Sequence, residues 1–249
     1  MLGFDLKWAI AALACGVSVG AAQAGSLAYT SRAAFDAAVT ALGGVGGTTE
    51  NFDSAAAGTS IADGSTLGGL IYHYGSTLAG SGVSIAVASG FGTTSPSNFL
   101  GTDDGGLFQS GDDFSLEFAS ARAVGMYFIS NDPLFDGDIT LAVGGVFASL
   151  LIADEQPFGL ADGRVYFLGL IDDAGSFSTA SIGSFCRPCG SFLFNIDDIV
   201  TARDGVSEVP VPATLALATL GLTACGAFSR RRGTQALRPV MRFSTRSTS

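Results

Sequence analysis

Apolar residues alternate with small or polar ones in short runs along this chain, and Gly, Asp and Ser separate the runs. The segment DFSLEF places Phe114, Leu116 and Phe118 on one face of an extended strand, because successive side chains of a strand point to opposite sides. RAVGMYF does the same with Val124, Met126 and Phe128, and DITLAV with Ile139, Leu141 and Val143. Two further segments are strand candidates: RVYFLGLI and SFLFNIDDIV. Such runs at intervals of about ten residues predict an all-β fold, an antiparallel, jelly-roll-like β-sandwich.

One segment has a helical pattern instead. In SRAAFDAAVTAL the apolar residues Phe35, Val39 and Leu42 recur at helical spacing, and Ser31 suits the N-cap. We therefore expect one short amphipathic helix near the N-terminus of the sandwich. Residues 25–202 show no break in composition, which predicts a single domain, and residues 203–209 are interpreted as a linker.

The first 24 residues have the pattern of a signal peptide. Lys7 precedes an uncharged apolar run, and Ala22-Gln23-Ala24 has the small-x-small form of a cleavage site. A retained membrane helix is the alternative, but the run is short for a bilayer. We expect cleavage before Gly25 and export of the domain.

A second apolar run, residues 213–228, lies near the C-terminus. It follows Pro210 and Pro212 and precedes three adjacent arginines, Arg230, Arg231 and Arg232. A buried core helix would need a polar face, which this run lacks. The pattern predicts a membrane helix whose arginines stay on the cytoplasmic side. The rest of the chain, residues 233–249, reads as a basic disordered tail.

This block at residues 210–232 resembles the PEP-CTERM sorting signal, with the prolines, the apolar helix and the arginine cluster in the family's order. Val211 stands where the family usually has a glutamate. The resemblance implies a Gram-negative exported protein that is held briefly in the inner membrane, processed by exosortase, and released to the cell surface or extracellular matrix. Parts of the body, including ENFD and NIDDIV, are also similar to ectodomains of this family.

Charge excludes one class of partner. Between Gly25 and Val209 there are 21 acidic and five basic side chains, a net charge of −16. Nucleic acid binding needs clustered Lys and Arg, so we expect no nucleic acid partner.

Catalytic patterns are sparse, and we predict no catalytic residue. The sole histidine, His73 in LIYHYGS, is interpreted as a partly exposed strand residue rather than part of a nucleophilic triad. Cys186 and Cys189 form a CxxC motif, which in an exported domain predicts a local disulfide. A redox site is the alternative, but it requires a helix N-terminus.

Adjacent aspartates are the remaining candidates for a site. They are Asp103-Asp104, Asp112-Asp113, Asp172-Asp173 and Asp197-Asp198, with three more in NDPLFDGD. Aspartate is common in turns because it accepts backbone hydrogen bonds. The alternative is a structural calcium ion. The acids of ENFD and IDDI resemble those that hold calcium in jelly-roll carbohydrate-binding modules. This resemblance implies Asp53 and Asp197 as the first candidates for calcium ligands. We predict no other cofactor.

The sequence therefore favours a non-enzymatic surface protein with a structural, adhesive or polysaccharide-binding role. The partners expected are exosortase, the membrane through the C-terminal helix, and extracellular polysaccharide. The alternative is a glycan-active hydrolase that uses two carboxylates, which would require two acids facing each other across a cleft.

Overall fold

The alternating segments form antiparallel strands in two sheets, as the pattern predicts. The computed structural model describes residues 25–43, 45–76, 78, 82–157, 160, 163–173, 175–185 and 190–203. These residues contain fifteen strands, one α-helix, α1 (Arg32–Ala41), and one 3-10 turn (Ile152–Asp154). The fold is therefore mostly β with a single helix, and the predicted all-β class is confirmed.

The larger sheet has nine strands. Seven of them lie side by side, in the order β1, β13, β10, β15, β7, β6 and β3, and β2 and β8 also pair with β15. Their bounds are β1 (Ser26–Tyr29), β2 (Val45–Glu50), β3 (Ser60–Ile61), β6 (Ile85–Ser89), β7 (Asn98–Thr102), β8 (Phe108–Gln109), β10 (Ala123–Ser130), β13 (Arg164–Asp172) and β15 (Leu193–Arg203).

The smaller sheet has six strands in the order β12, β11, β14, β9, β5 and β4. Their bounds are β4 (Thr66–Leu67), β5 (Leu70–His73), β9 (Phe114–Ala121), β11 (Ile139–Val143), β12 (Val146–Ser149) and β14 (Phe177–Ser184). Each strand of this sheet that was predicted by alternation buries every second residue. In β9 the buried residues are Phe114, Leu116 and Phe118, as expected.

The main core lies between the two sheets. Leu116 of β9 and Ile182 of β14 belong to the same buried cluster as Met126, Phe128 and Leu168 of the larger sheet. Burial of these apolar side chains is the main source of stability for a two-layer β fold. The described part of the chain therefore packs as two layers.

Strand β10 is buried on both faces, which alternation did not predict. Val124, Met126 and Phe128 face the main core, whereas Tyr127 and Ile129 belong to a second buried cluster on the other side of the sheet. The second cluster is covered by α1. The sequence of a strand with both faces covered is typically a continuous apolar run, and AVGMYFI is such a run.

Helix α1 begins as predicted. The hydroxyl of Ser31 accepts a hydrogen bond from the backbone N–H of Ala34, and Phe35 is fully buried. The ring of Phe35 meets β13 at a glycine: a Cβ atom at Gly169 would lie 2.6 Å from Cδ2 of Phe35. The close approach of helix and sheet therefore requires glycine at this position. Leu42, by contrast, is an exposed C-cap residue.

Several predicted segments lie outside the described residues. They are the signal peptide at residues 1–24, all of the linker after Arg203, the sorting block at residues 210–232 and the tail at residues 233–249. Within the residues that are described, no helix has the length and apolar character needed to cross a membrane.

Candidate functional site

A shallow open groove of about 600 Å³ crosses the outer face of the six-stranded sheet. Its floor is low because the outward positions of neighbouring strands hold small side chains. Ala142 of β11 lies opposite Ser181 of β14, Ser181 lies opposite Ser115 of β9, and Ser115 lies opposite His73 of β5. The groove is lined by Asp63, His73, Tyr74, Gly75, Ser76, Asp113, Phe114, Ser115, Thr140, Ala142, Ser181, Ile182 and Gly183.

Polar groups stand along the walls of the groove. His73 is exposed on β5, as predicted, and its Nε2 lies 3.2 Å from Oε2 of Glu117. Asp63 accepts a hydrogen bond from the backbone N–H of Tyr74, and Asp113 accepts one from that of Ser184. These backbone donors fix the carboxylates in place. The groove therefore presents hydroxyls, carboxylates and an imidazole on a floor of small residues.

The two aromatic residues of the groove lining are buried. The hydroxyl of Tyr74 donates to the carbonyl of Ile61, and the ring of Phe114 stacks on Phe108 at 5.2 Å. Apart from the imidazole of His73, the described lining thus offers no exposed ring for a sugar to stack on. A ligand here would be held mainly by hydrogen bonds.

A second polar centre lies on the outer face of the nine-stranded sheet, where Asp197 of β15 is fully buried. Its Oδ2 accepts hydrogen bonds from the hydroxyls of Thr93 and Thr94 and from the backbone N–H groups of Thr94 and Ser95. Its Oδ1 accepts the N–H of Asp198 at 2.8 Å. Asp197 therefore fastens the loop between β6 and β7, residues 90–97, onto the sheet.

Asp198, the next residue, lies in a different environment. Its backbone φ is +50°, in the left-handed region, and its Oδ2 shares the single hydroxyl hydrogen of Thr94 with Asp197. Burial first, and then the neighbouring charge of Asp197, raise the pKa of Asp198 above its ordinary value. One adjacent pair in the sequence thus contains a fully hydrogen-bonded carboxylate and an electrostatically disfavoured one.

Asp53 holds the other end of the same loop. Its Oδ1 accepts the backbone N–H groups of Ser97 and Asn98 and the hydroxyl of Ser97. Burial acts to raise the pKa of Asp53, but the hydrogen bonds from Asn98 and Ser97 together lower it. Asp53 and Asp197 thus both bind the loop at residues 90–97, whereas their predicted role as calcium ligands stays a prediction.

Protein donors already use the lone pairs of Asp197 that a calcium ion would need. Among the described residues, no group of three or more His, Cys, Asp or Glu side chains is arranged to hold a metal ion. Oδ2 of Asp53 is buried and has no donor within the described part of the chain. Calcium at this centre stays a prediction.

The remaining site residues from the sequence lie outside the described residues. They are Cys186, Cys189, Pro210, Pro212, Arg230, Arg231 and Arg232. Their predicted roles, a disulfide and a sorting signal, stay predictions.

The groove floor was missed by the sequence reading. Ser115 and Thr140 alternate with the apolar residues that predicted β9 and β11, whereas β14, the strand that carries Ser181, was not predicted at all. The signal was nevertheless present, because the outward positions of two predicted strands hold no long side chain except Glu117. Which outward faces adjoin each other depends on strand order, which alternation does not give.

No protein-family model matches this chain, and no curated protein matches it. A search of solved structures finds similarity to the K2 cleaved adhesin domain of Lys-gingipain, with a TM-score of 0.39 and 16% identity. The aligned region covers 63% of this chain and 99% of that domain.

Proposed function

We propose that this chain is an exported surface or matrix protein whose β-sandwich binds extracellular polysaccharide through the groove on its six-stranded sheet. The observation that carries the proposal is the groove itself, an open channel of about 600 Å³ with a floor of small residues. An open channel accepts an internal stretch of a long polymer, whereas an enclosed pocket accepts only its end or a small molecule.

The chemistry of the groove supports a polyhydroxylated ligand. The hydroxyl of Ser181 can donate and accept, those of Ser115 and Thr140 donate to backbone carbonyls and can still accept, and the carboxylates of Asp63 and Asp113 accept. Sugar hydroxyls also donate and accept, so the two sets complement each other. Hydrogen bonds alone in a solvated groove give modest affinity per sugar unit. A long polymer gains affinity because it can bind many copies of the protein at once.

Charge narrows the class of polymer. The net charge of −16 between Gly25 and Val209 repels an acidic polysaccharide. We therefore propose a neutral or amine-bearing polymer, or an acidic one only where a divalent cation bridges the two.

Export and processing belong to the same proposal. The signal peptide and the sorting block would place the sandwich outside the inner membrane, with exosortase removing the helix after Pro212. An intact-mass measurement on the surface-exposed form is expected to show a chain that begins at Gly25 and lacks Arg230–Arg232. A mass that includes the arginines would contradict processing at this block.

A hydrolase is the second candidate, because Asp63 and Asp113 line the same groove. A glycosidase needs two carboxyl groups that face each other across a cleft. The carboxylates of Asp63 and Asp113 are instead each held by a backbone N–H group, from Tyr74 and Ser184, in a shallow open groove. For this reason we favour binding over hydrolysis.

A glycan array probed with the purified full chain, with and without calcium, tests the proposal. We expect neutral or amine-bearing polysaccharides to be retained, and Ser181→Tyr to abolish retention by filling the groove floor. Ser178→Tyr is the matched control, since Ser178 is exposed on the same strand but does not line the groove. Retention that survives Ser181→Tyr would contradict the groove as the site, and shortened glycans after incubation would favour the hydrolase.

A further inference from the structure

A separate cavity of about 120 Å³ lies on the other sheet, beside the loop that Asp197 fastens. It is distinct from the groove, which lies on the six-stranded sheet. Its lining combines the end of β10, the start of β15 and four residues that lie between strands. The lining residues are Phe91, Leu107, Ile129, Ser130, Asn131, Asp132, Leu193 and Asn195.

The most informative lining residue is Asn195, which is only 1% exposed. Its Nδ2 donates to the carbonyl of Gly92 at 2.9 Å. Because a carbonyl can only accept, this bond fixes which end of the amide faces Gly92. Oδ1 of Asn195 has no hydrogen-bond donor among the described residues. A buried acceptor without a donor is unfavourable, so such an atom at a cavity calls for a ligand that donates.

The hydroxyl and carboxylate nearby add acceptors to the site. The hydroxyl of Ser130 donates to the carbonyl of Leu193 at 2.6 Å and accepts the N–H of Asp132 at 3.1 Å. Its hydrogen is therefore already used. Asp132 accepts the N–H of Leu193 through Oδ2 and contributes a negative charge to the wall. The cavity therefore offers a ligand the unpaired amide oxygen of Asn195 and the carboxylate of Asp132, beside the amide of Asn131.

Apolar side chains frame the mouth of the cavity. Phe91 is 40% exposed and Leu193 is 44% exposed. The ring of Phe91 packs edge-on against Phe99, with 6.2 Å between the ring centroids. An exposed aromatic ring attracts a cation to its face and also packs against carbon. The mouth therefore suits a cationic group carried on a short carbon frame.

We propose that this cavity binds a primary ammonium group. An ammonium has three donors and no acceptor, which complements an amide oxygen and a carboxylate. A neutral hydroxyl would also satisfy Asn195, but it carries no positive charge to complement the carboxylate of Asp132. The acidic body raises the local concentration of cations and so favours the same ligand.

Titration calorimetry on the purified full chain tests the inference with three matched probes: methyl glucosaminide, methyl glucoside and methyl N-acetylglucosaminide. We expect the free amine to bind at least fivefold more tightly than the other two. Propylamine is the fourth probe, and it shows whether the sugar ring adds to the recognition of the ammonium group. Equal binding of propylamine means that the ammonium alone is recognised, and weaker binding means that the sugar frame contributes.

Two variants locate the binding. Asp132→Asn keeps an acceptor for Leu193 but removes the charge, and Phe91→Ala removes the exposed ring; each is expected to weaken amine binding at least threefold. Asp36→Asn, which removes one charge from α1, is the control and should change nothing. The same series in the Ser181→Tyr background should give the same result, because the groove is on the other sheet.

Either of two results would overturn the inference. One is equal affinity for the amine and its hydroxyl analogue, which would mean that water suffices for Asn195. The other is amine binding that neither Asp132→Asn nor Phe91→Ala weakens. Circular dichroism of both variants confirms that they are folded, so that a loss of binding is not a loss of structure.

Discussion

The outer faces of the two sheets differ in what covers them. On the nine-stranded sheet, α1 and the loop at residues 90–97 cover the strands, and Phe35, Tyr127 and Phe167 form a second buried cluster there. On the six-stranded sheet, the outward residues of β9, β11 and β14 are small apart from Glu117, and a groove remains. The covered face contributes to stability, whereas the bare face is free to meet a ligand. Substitutions should therefore affect stability on one face and binding on the other.

The largest effect is expected at Phe35, which anchors the helix to the covered face. Its ring packs edge-on against Tyr29 and Phe167, at centroid distances of 6.0 and 5.3 Å. Phe35→Ala should lower the free energy of unfolding by ~3–5 kcal/mol, the range for truncating a buried aromatic residue. Urea unfolding measures this change. A loss below ~1 kcal/mol would mean that the helix adds little to the covered face.

Asp197→Asn should have the next largest effect. The carboxylate accepts five hydrogen bonds, and an amide would turn an N–H group toward these donors. We expect a loss of ~2–3 kcal/mol, the scale for hydrogen bonds to a charged group. Unfolding of the variant and the wild type at pH 7 measures it. A free energy of unfolding equal to that of the wild type would contradict the role of Asp197 in holding the loop at residues 90–97 on the sheet.

Asp198→Asn should act in the opposite direction and more weakly. The asparagine keeps an acceptor for Thr94 and tolerates the positive φ. Because the folded pKa of Asp198 is raised, its ionisation destabilises the folded state above that pKa. The variant should gain ~0.5 kcal/mol at pH 7, since the group is only partly buried. The gain should shrink as the pH falls toward the ordinary value of 3.8.

Asp53 provides the contrast for this pH dependence. Its folded pKa is lowered, so its contribution to stability is present above 3.8 and is lost as the pH falls through the folded pKa. Asp53→Asn should therefore destabilise the protein at pH 7. If Asp198→Asn and Asp53→Asn changed stability in the same direction at pH 7, the two assigned environments would be wrong.

The smallest effect on stability is expected on the bare face. Ser181 is exposed in the middle of β14, and tyrosine is favoured on exposed strand surfaces. Ser181→Tyr should change the free energy of unfolding by less than ~0.5 kcal/mol while it removes polysaccharide binding. Thermal unfolding beside the glycan array checks both. A strongly destabilised variant would mean that the groove floor also supports the fold.

In strand β15, the inward face could be predicted from the sequence, whereas the contacts of the outward face could not. Its apolar residues Phe194 and Ile196 were part of a strand prediction, and they do face the main core. The residues that alternate with them, Asn195 and Asp197, face the other side of the sheet and contact the loop at residues 90–97. Those contacts join positions more than 100 residues apart. Local pattern carries no information about such contacts, because they depend on strand order and loop path.

By itself, the sequence determined the class of fold, the position of the helix and its cap at Ser31, and the inward faces of β9, β10 and β11. These follow from the period of apolar residues and from the local chemistry of a helix start, which need no distant partner. Only the tertiary structure decided which outer face is covered and which is bare. It also separated the roles of Asp197 and Asp198 and left Asn195 facing a cavity. The physical reason is that alternation gives a strand two faces, whereas packing between distant segments decides what each face meets.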